Sequence, residues 1–298
     1  MRREDRRKSD NVVNRRGEAA RTVGVSAIAI YLARIVLSRF GLTGLIVLVA
    51  GFFALNAIGI NLLTPGEDYA SSSEADGEVD LCAAGGDTEQ FMCVVLASTE
   101  DVWGQIFAEH GASYPEPTLN IFSGSVSAGR CGTATAAVGP FYCPDTQGLY
   151  LDTAFFDELS RRFGAPGDFA EAYVVAHEVG HHIQNVTGML DEVGAARAGL
   201  TSSRQNELQV RIELQADCLA GVWAHYEGSM GGLEEGDIEE ALNAANAIGD
   251  DTLQRQAGRR PVPDSFTHGS SEQRARWFRI GFDSGDMNAC DTFSAARL

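Results

Sequence analysis

A short run, His177-Glu178-Val179-Gly180-His181, carries the residue types that metal-assisted hydrolysis requires. Residues at positions i and i+4 lie on one face of an α-helix, so His177 and His181 can offer two imidazole nitrogens to one Zn²⁺. Glu178 then lies beside the open coordination position, where a carboxylate can take a proton from a water that the metal has made acidic. The pattern therefore predicts a hydrolytic zinc centre.

The helix that presents these residues is predicted to run from Asp168 to about Gly188. Apolar residues occupy most of its other positions, which places the histidine pair near a packed interior. Gly180 costs about 1 kcal/mol relative to alanine inside a helix, so its presence indicates the close approach of another backbone. A surface helix that happens to carry histidines is the alternative, and a third ligand would decide against it.

A second helix, predicted over residues 202–226, supplies the candidate third ligand. Glu213 and Asp217 stand at i and i+4 on one side of this helix. If the two helices pack together, Glu213 completes the zinc site, and Asp217 accepts the free ring N–H of His177 or His181. A solvated acidic face is the alternative, but small residues nearby favour close helix packing.

The loop before a later helix carries a histidine, His268, and the helix itself carries Arg274. Ser270 and Gln273 have the spacing of a capping box, which starts the helix at this point. Peptide hydrolysis builds negative charge on the former carbonyl oxygen, and a histidine donor aimed there stabilises the transition state. His268 is therefore the candidate donor, with Arg274 supporting the substrate or a nearby carboxylate. A histidine that serves only the turn is the alternative.

Charge is divided unevenly along the chain. Residues 1–40 hold 10 of the 23 Lys and Arg residues and 4 of the 41 acidic ones, so the remainder is strongly acidic. Residues 41–63 contain no charged side chain and are long enough to cross the hydrocarbon core once. The positive-inside rule then predicts a cytoplasmic N-terminus, with everything after residue 63 outside the inner membrane. The acidic main part argues against nucleic acid as a partner.

Two alternatives accompany the single span. A cleaved signal peptide would need a far shorter basic region and a small-x-small cleavage site, which does not stand out here. The apolar run at residues 23–37 is interrupted by Arg34, so it is interpreted as an interfacial or extending helix and not as a second span. The predicted parts are a basic cytoplasmic segment at 1–40, the span at 41–63, an acidic flexible linker at 64–86 and an extracytoplasmic domain at 87–298.

Cysteine usage agrees with an oxidising compartment. All six cysteines follow the predicted span, and an even number there indicates disulfide bonds. Proximity in sequence favours Cys82 with Cys93 and Cys131 with Cys143, which leaves Cys218 for Cys290. A buried free thiol is the alternative for any one of them.

The folded part is predicted to be α+β and mainly helical, with a small sheet. Helices at 87–111, 153–163 and 238–248 join those already described, and strand-like runs at 118–126 and 148–152 form the sheet. We expect an extended peptide to pair with these strands beside the metal, as peptides pair with edge strands.

Long motifs across about two-thirds of the chain resemble the putative neutral zinc metallopeptidase family of membrane-anchored bacterial proteins. The matching stretches are TEDVWGQIF, GPFYCP, YLDTAFFDEL, GDFAEAYVVAHEVGHHIQN, ELQADCLAGVWAH, EALNAANAIGDD, VPDSFTHGSSEQR and GFDSGD. The resemblance implies a zincin-like peptidase domain, related in its site to enzymes that combine His-Glu-x-x-His with a Glu-x-x-x-Asp helix.

The predicted function is that of a membrane-anchored zinc endopeptidase acting on a peptide or protein. One Zn²⁺ would be held by His177, His181 and Glu213, with Glu178 as general base and then general acid. A zinc-stabilised binding or scaffold module would keep the same ligands without needing Glu178. A hydrolase of a non-peptide amide of the cell envelope is a further alternative.

Overall fold

The computed structural model describes residues 1–17 and 79–298. Residues 1–15 and 80–298 form one compact unit. This differs from the predicted division, in which residues 1–40 stood apart and the folded domain began near residue 87. The difference arises because the N-terminal residues pack on the domain through ion pairs and a strand, and because Cys82 is bonded to Cys93.

None of the helices within residues 1–17 and 79–298 is both long enough and apolar enough to cross a membrane. The predicted span at 41–63 and most of the predicted linker at 64–86 lie outside the described residues. Membrane attachment therefore stays a prediction from the sequence.

Helices make up most of the domain, as predicted. The helix that carries His177 ends two residues earlier than expected, and the helix that carries Glu213 ends three residues later. In chain order the helices are α1 (Leu81–Ala84), α2 (Asp87–Glu109), α3 (Ala154–Arg161), α4 (Asp168–Val186), α5 (Met189–Ala196), α6 (Ser202–Ser229), α7 (Asp237–Ala247), α8 (Asp250–Gln256) and α9 (Ser271–Ser284). The predicted capping box of Ser270 and Gln273 starts α9.

Helices α4 and α6 pack with almost no space between their backbones at Gly180. A Cβ placed on Gly180 would lie 2.8 Å from the carbonyl oxygen of Ala216 and 2.9 Å from its Cα. Gly221 and Gly281 leave equally little room where α6 meets α9. The predicted packing reason for Gly180 is therefore confirmed, and it brings the two helices of the site together.

The strands of the described residues form a four-stranded sheet and a two-stranded hairpin. In chain order they are β1 (Val12–Asn14), β2 (Thr118–Phe122), β3 (Ser125–Ser127), β4 (Thr133–Thr135), β5 (Phe141–Cys143) and β6 (Gly148–Asp152). The sheet has the order β1-β2-β6-β5, and β3 pairs with β4. Strands β1, β2 and β6 are parallel, whereas β5 runs antiparallel to β6.

The predicted strand at 118–126 is in fact two strands, because the chain turns at Gly124, whose φ is +78°. The prediction that a peptide pairs with residues 118–126 and 148–152 is also wrong. Strand β2 lies between β1 and β6, and β6 lies between β2 and β5, so both already have a neighbour on each side. Strand β5 lies at one edge of the four-stranded sheet, and its Tyr142 contacts His182 of α4.

The predicted disulfide pairs are confirmed: Cys82–Cys93, Cys131–Cys143 and Cys218–Cys290. The first joins α1 to α2, and the second joins the turn of the β3–β4 hairpin to the last residue of β5. The third joins α6 to the turn after α9, across a sequence separation of 72 residues. Covalent bonds therefore tie together the elements that surround the two packed helices.

Candidate metal centre

The side chains of His177, His181 and Glu213 converge between α4 and α6. One ligand atom from each lies within 4.8 Å of the other two. The Nε2 atoms of His177 and His181 lie 3.3 Å and 3.5 Å from the same carboxylate oxygen of Glu213. His177 and Glu213 are nearly buried, at 7% and 6% exposed. The structure thus brings together the three side chains that the sequence predicted as ligands.

Hydrogen bonds on the far side of each imidazole fix which nitrogen faces the centre. The Nδ1 of His177 lies 2.8 Å from a carboxylate oxygen of Asp217, and the Nδ1 of His181 lies 2.9 Å from the amide oxygen of Gln184. Each Nδ1 donates its proton to that acceptor, so each Nε2 is the nitrogen directed at Glu213. The amide of Gln184 is held in turn, because its nitrogen donates to the carbonyl of Ile212 at 2.8 Å.

The carboxylate of Asp217 is completely buried and fully paired. It accepts hydrogen bonds from the Tyr173 hydroxyl at 2.5 Å and from His177 at 2.8 Å. Arg274 donates to both of its oxygens, at 2.8 Å and 2.9 Å. Burial raises the pKa of Asp217, but the positive charges of Arg274 and His177 outweigh it and lower the pKa to about 2. Asp217 is therefore a fixed anion that orients His177.

Charges within the site also set the protonation of its other members. Burial lowers the pKa of His177, but Asp217 and Glu213 outweigh burial and raise the pKa to about 9. Burial raises the pKa of Glu213, but His181 and His177 hold it well below its usual range. The Nε2 of His177 thus carries a proton at neutral pH in the absence of a metal, and it shares that proton with an ionised Glu213.

Glu178 differs from these carboxylates in having no such partners. Its side chain is 8% exposed and lines the same cleft as the two histidines. Among residues 1–17 and 79–298, no hydrogen bond or ion pair holds its carboxylate. Glu178 is therefore the acidic group of the site that is free to act on a molecule in the cleft.

His268 lies in the loop before α9 and lines the cleft that contains the three converging side chains. Asp250 shapes this loop, because one of its oxygens accepts the backbone N–H groups of residues 267, 268 and 269 at 2.7, 2.7 and 3.1 Å. The imidazole is half exposed, and its Nδ1 lies 3.5 Å from the second oxygen of Asp250. The side chain is thus positioned by a carboxylate while it faces the cleft.

The cleft has a volume of about 630 Å³ and is bounded on one side by β5 and the turn before it. Phe141 and Tyr142 of β5 line it, and so does Phe155 of α3. The Tyr142 hydroxyl lies 3.0 Å from Nδ1 of His182, whose Nε2 donates to the carbonyl of Pro115 at 2.6 Å. His182 therefore fastens β5 to α4, and both of its nitrogens are occupied away from the metal centre.

Sequence reasoning missed several residues that shape the site. Gln184 orients His181, and its position three residues later on the same helix face was the signal that could have found it. Gln209 donates to the outer oxygen of Glu213 at 2.7 Å and also lies one turn away on its own helix. Tyr173 gave no such signal, because its partner Asp217 belongs to a different helix. Arg274, predicted to serve the substrate or a carboxylate, pairs with Asp217.

Two packed helices that present His-Glu-x-x-His and Glu-x-x-x-Asp around one point have the arrangement expected of a zinc metallopeptidase. The chain belongs to the family described as Putative neutral zinc metallopeptidase, whose model matches residues 1–293. The match includes the N-terminal residues as well as both helices of the site.

Similar proteins occur in Escherichia coli and Mycobacterium tuberculosis. The uncharacterized protein YpfJ of Escherichia coli K12 is 45% identical over 294 residues, which cover 98% of this chain and 99% of YpfJ. The uncharacterized protein Rv2575 of Mycobacterium tuberculosis H37Rv is 44% identical over 236 residues, which cover 74% of this chain and 77% of that protein. No solved structure matches the chain significantly.

Proposed function

We propose that the protein is a zinc-dependent endopeptidase that hydrolyses peptide bonds in the cleft between α4, α6 and β5. The observation that carries the proposal is the convergence of His177, His181 and Glu213, with an unpaired Glu178 lining the same cleft. A site that only stabilised the fold would have no use for a carboxylate that lines the cleft beside the two histidines and makes no hydrogen bond or ion pair among the described residues.

The residues present fit a zinc ion. Two imidazole nitrogens and one carboxylate oxygen form the ligand set of many hydrolytic zinc sites, which leave the fourth position open. The hydrogen bonds at both Nδ1 atoms supply the support that zinc-binding histidines ordinarily have.

A bound zinc ion supplies a Lewis acid that polarises the substrate carbonyl and makes a bound water acidic. Glu178 takes a proton from the attacking water and then delivers it to the departing amine. His268 donates a hydrogen bond to the oxygen on which negative charge develops. Asp217 and Gln184 keep the two ligand imidazoles in place throughout, since both interact with Nδ1 and not with the cleft.

We infer that an extended peptide lies along the free edge of β5. This strand lines the cleft and has a sheet neighbour on one side only among the described strands. Backbone pairing at a sheet edge recognises peptides of many sequences, and side-chain pockets then add selectivity. Aromatic side chains at Phe141 and Phe155 favour apolar residues of the substrate.

Attachment to the bacterial inner membrane through residues 41–63, with the catalytic domain outside the cytoplasm, is also a proposal. The disulfide bonds support it, because such bonds persist in oxidising compartments.

The full-length chain in detergent tests the peptidase assignment. Bound zinc is measured by elemental analysis, and cleavage of an unbiased peptide library is followed by mass spectrometry. Glu178→Gln should keep zinc and lose activity by at least about 10²-fold, because it removes the proton acceptor. Glu213→Ala should lose zinc. Glu171→Gln is the matched control on α4, and it should keep both zinc and activity.

Each alternative gives a distinct result. Zinc bound to the wild-type chain with no peptide cleaved would overturn the peptidase assignment and leave a scaffold module. Turnover of non-peptide amides in cell-envelope extracts, abolished by Glu178→Gln, would instead identify a hydrolase of another substrate class.

A further inference from the structure

Residues 1–15, which we call the N-terminal strap, make a buried ion pair with the helix that carries Glu213. Both terminal nitrogens of Arg6 donate to Glu227 of α6, at 2.7 Å and 2.6 Å. Glu227 is completely buried, whereas the side chain of Arg6 is 24% exposed. A buried carboxylate that lost its cation would be strongly destabilising, so the fold of α6 depends on the strap.

A second contact of the strap is made with α2. The Ser9 hydroxyl donates to Glu100 at 2.5 Å, and the amide nitrogen of Asn11 donates to the same oxygen at 2.9 Å. Arg7 lies 2.8 Å from the other oxygen of Glu100. Glu100 is only 3% exposed, so a further buried carboxylate relies on the strap for its partners.

The strap ends as part of the sheet. Strand β1 is parallel to β2, with Val12, Val13 and Asn14 opposite residues 119–121. Backbone hydrogen bonds of 2.8 Å flank this pairing at both ends, from Leu119 to Asn11 and from Arg15 to Ile121. The strap is therefore integrated into the domain through main chain as well as side chains.

Contacts with the domain give Arg6, Arg7 and Lys8 of the strap a role that the positive-inside rule does not consider. That rule interprets its arginines and lysine as a cytoplasmic flank. Arg6 and Arg7 instead pair with buried or exposed carboxylates of the acidic domain, and Lys8 donates to the carbonyl of Cys82 at 2.6 Å. These charges are complementary to the surface on which they lie.

We propose that the strap and the domain at residues 80–298 lie on the same side of the membrane. A chain whose two ends lie on one side crosses a membrane an even number of times or not at all. The inference holds even if the strap of one copy packed on another, because all copies share one orientation. It is independent of the peptidase chemistry.

Cysteine accessibility tests the proposal in the full-length protein. Asp10→Cys places a thiol on an exposed position of the strap, and Ser203→Cys places one on an exposed position of α6. Spheroplasts that express each variant are treated with a membrane-impermeant maleimide before and after permeabilisation. The wild-type chain should stay unlabelled, because its six cysteines are paired. Glu4→Cys is a second, independent position on the strap.

The two thiols are expected to behave alike, and both should react before permeabilisation if the domain is outside the cytoplasm. Identical labelling patterns support the proposal. Labelling of one thiol before permeabilisation and of the other only afterwards, as a single crossing requires, would overturn it.

Thermal unfolding tests whether the strap packs on the domain, independently of the side of the membrane on which each lies. Arg6→Ala should lower Tm by roughly 10 °C, because it leaves Glu227 buried without a cation. Adding Glu227→Gln should recover part of this loss. Arg2→Ala is the control, since its side chain is exposed. An unchanged Tm in Arg6→Ala would mean that the strap does not pack on α6 and would overturn the proposal.

Discussion

Arg274 donates to both carboxylate oxygens of Asp217, and both side chains are buried. Two parallel hydrogen bonds fix the plane of a carboxylate as well as its position. One of those oxygens also accepts a hydrogen bond from Nδ1 of His177. The guanidinium of Arg274 therefore helps to orient His177, a predicted zinc ligand, without being a ligand itself.

Replacement of Arg274 by lysine should therefore weaken zinc binding without removing a ligand. Arg274→Lys keeps the positive charge but loses the paired geometry, and we expect zinc affinity to fall by about 10-fold to 100-fold. Competition with a chelator of known affinity measures the change. Arg279→Lys, at an exposed position of α9, should leave the affinity as it is. Equal affinities in both variants would show that Asp217 is oriented without Arg274.

Loss of His268 should slow turnover and spare the metal. His268→Ala removes the donor aimed at the developing charge, so kcat should fall by about 10²-fold to 10³-fold while bound zinc stays constant. The side chain is half exposed, which protects the fold from the change. His110→Ala, at the end of α2, is the control. An unaltered kcat would assign His268 to the turn alone.

Gly180→Ala tests whether helix approach builds the metal centre. The added methyl group would meet the backbone of Ala216, so we expect a loss of about 1–3 kcal/mol in the free energy of unfolding and weaker zinc binding. Gly104→Ala in α2 is the control, because a Cβ added at this position would meet no neighbouring element within 4 Å. That variant should gain up to about 1 kcal/mol. Denaturant titration measures the free energy of unfolding of each variant, and competition with a chelator measures its zinc affinity.

Glu171 of α4 should make stability depend on pH. Burial, with the nearby charge of Asp168, raises the pKa of Glu171 from 4.5 to about 7. The folded chain thus holds this proton more tightly than the unfolded chain. The resulting stabilisation is complete below pH 4.5 and is lost as the pH rises through about 7.

Glu171→Gln should remove that loss, so the difference in Tm between variant and wild type should increase from pH 4.5 to pH 8. Glu192→Gln, which removes one exposed carboxylate from α5, serves as the control. A difference that stays constant across this pH range would contradict a raised pKa for Glu171.

The sequence predicted which side chains converge between α4 and α6, because the information it used is local. His177 and His181 lie one turn apart, Glu213 and Asp217 lie one turn apart, and Gly180 marked the place where the two helices meet. Fixed spacing on a helix determines which side chains share a face, whatever the rest of the fold does. The partner of each group on another element, such as Tyr173 for Asp217, depended on packing that no local pattern encodes.

The N-terminal strap shows the opposite case. Its arginines follow no helical or strand period, and a run of positive charge before an apolar segment has a familiar topological meaning. The partner Glu227 lies 221 residues away in the sequence, so the pairing with Arg6 could be found only from the folded chain. The prediction of one continuous strand at 118–126 was wrong for a local reason, because the chain turns at Gly124.

Strand β1 also covers one flank of the sheet. If a recombinant fragment began at residue 80, β2 would display unpaired N–H and C=O groups along its length, and open flanks of this kind recruit strands from neighbouring molecules. Such a fragment would be prone to self-association even if helices α4 and α6 folded correctly. For expression and crystallisation, residues 1–15 should therefore be retained as part of the domain, joined ahead of residue 80 by a designed connector.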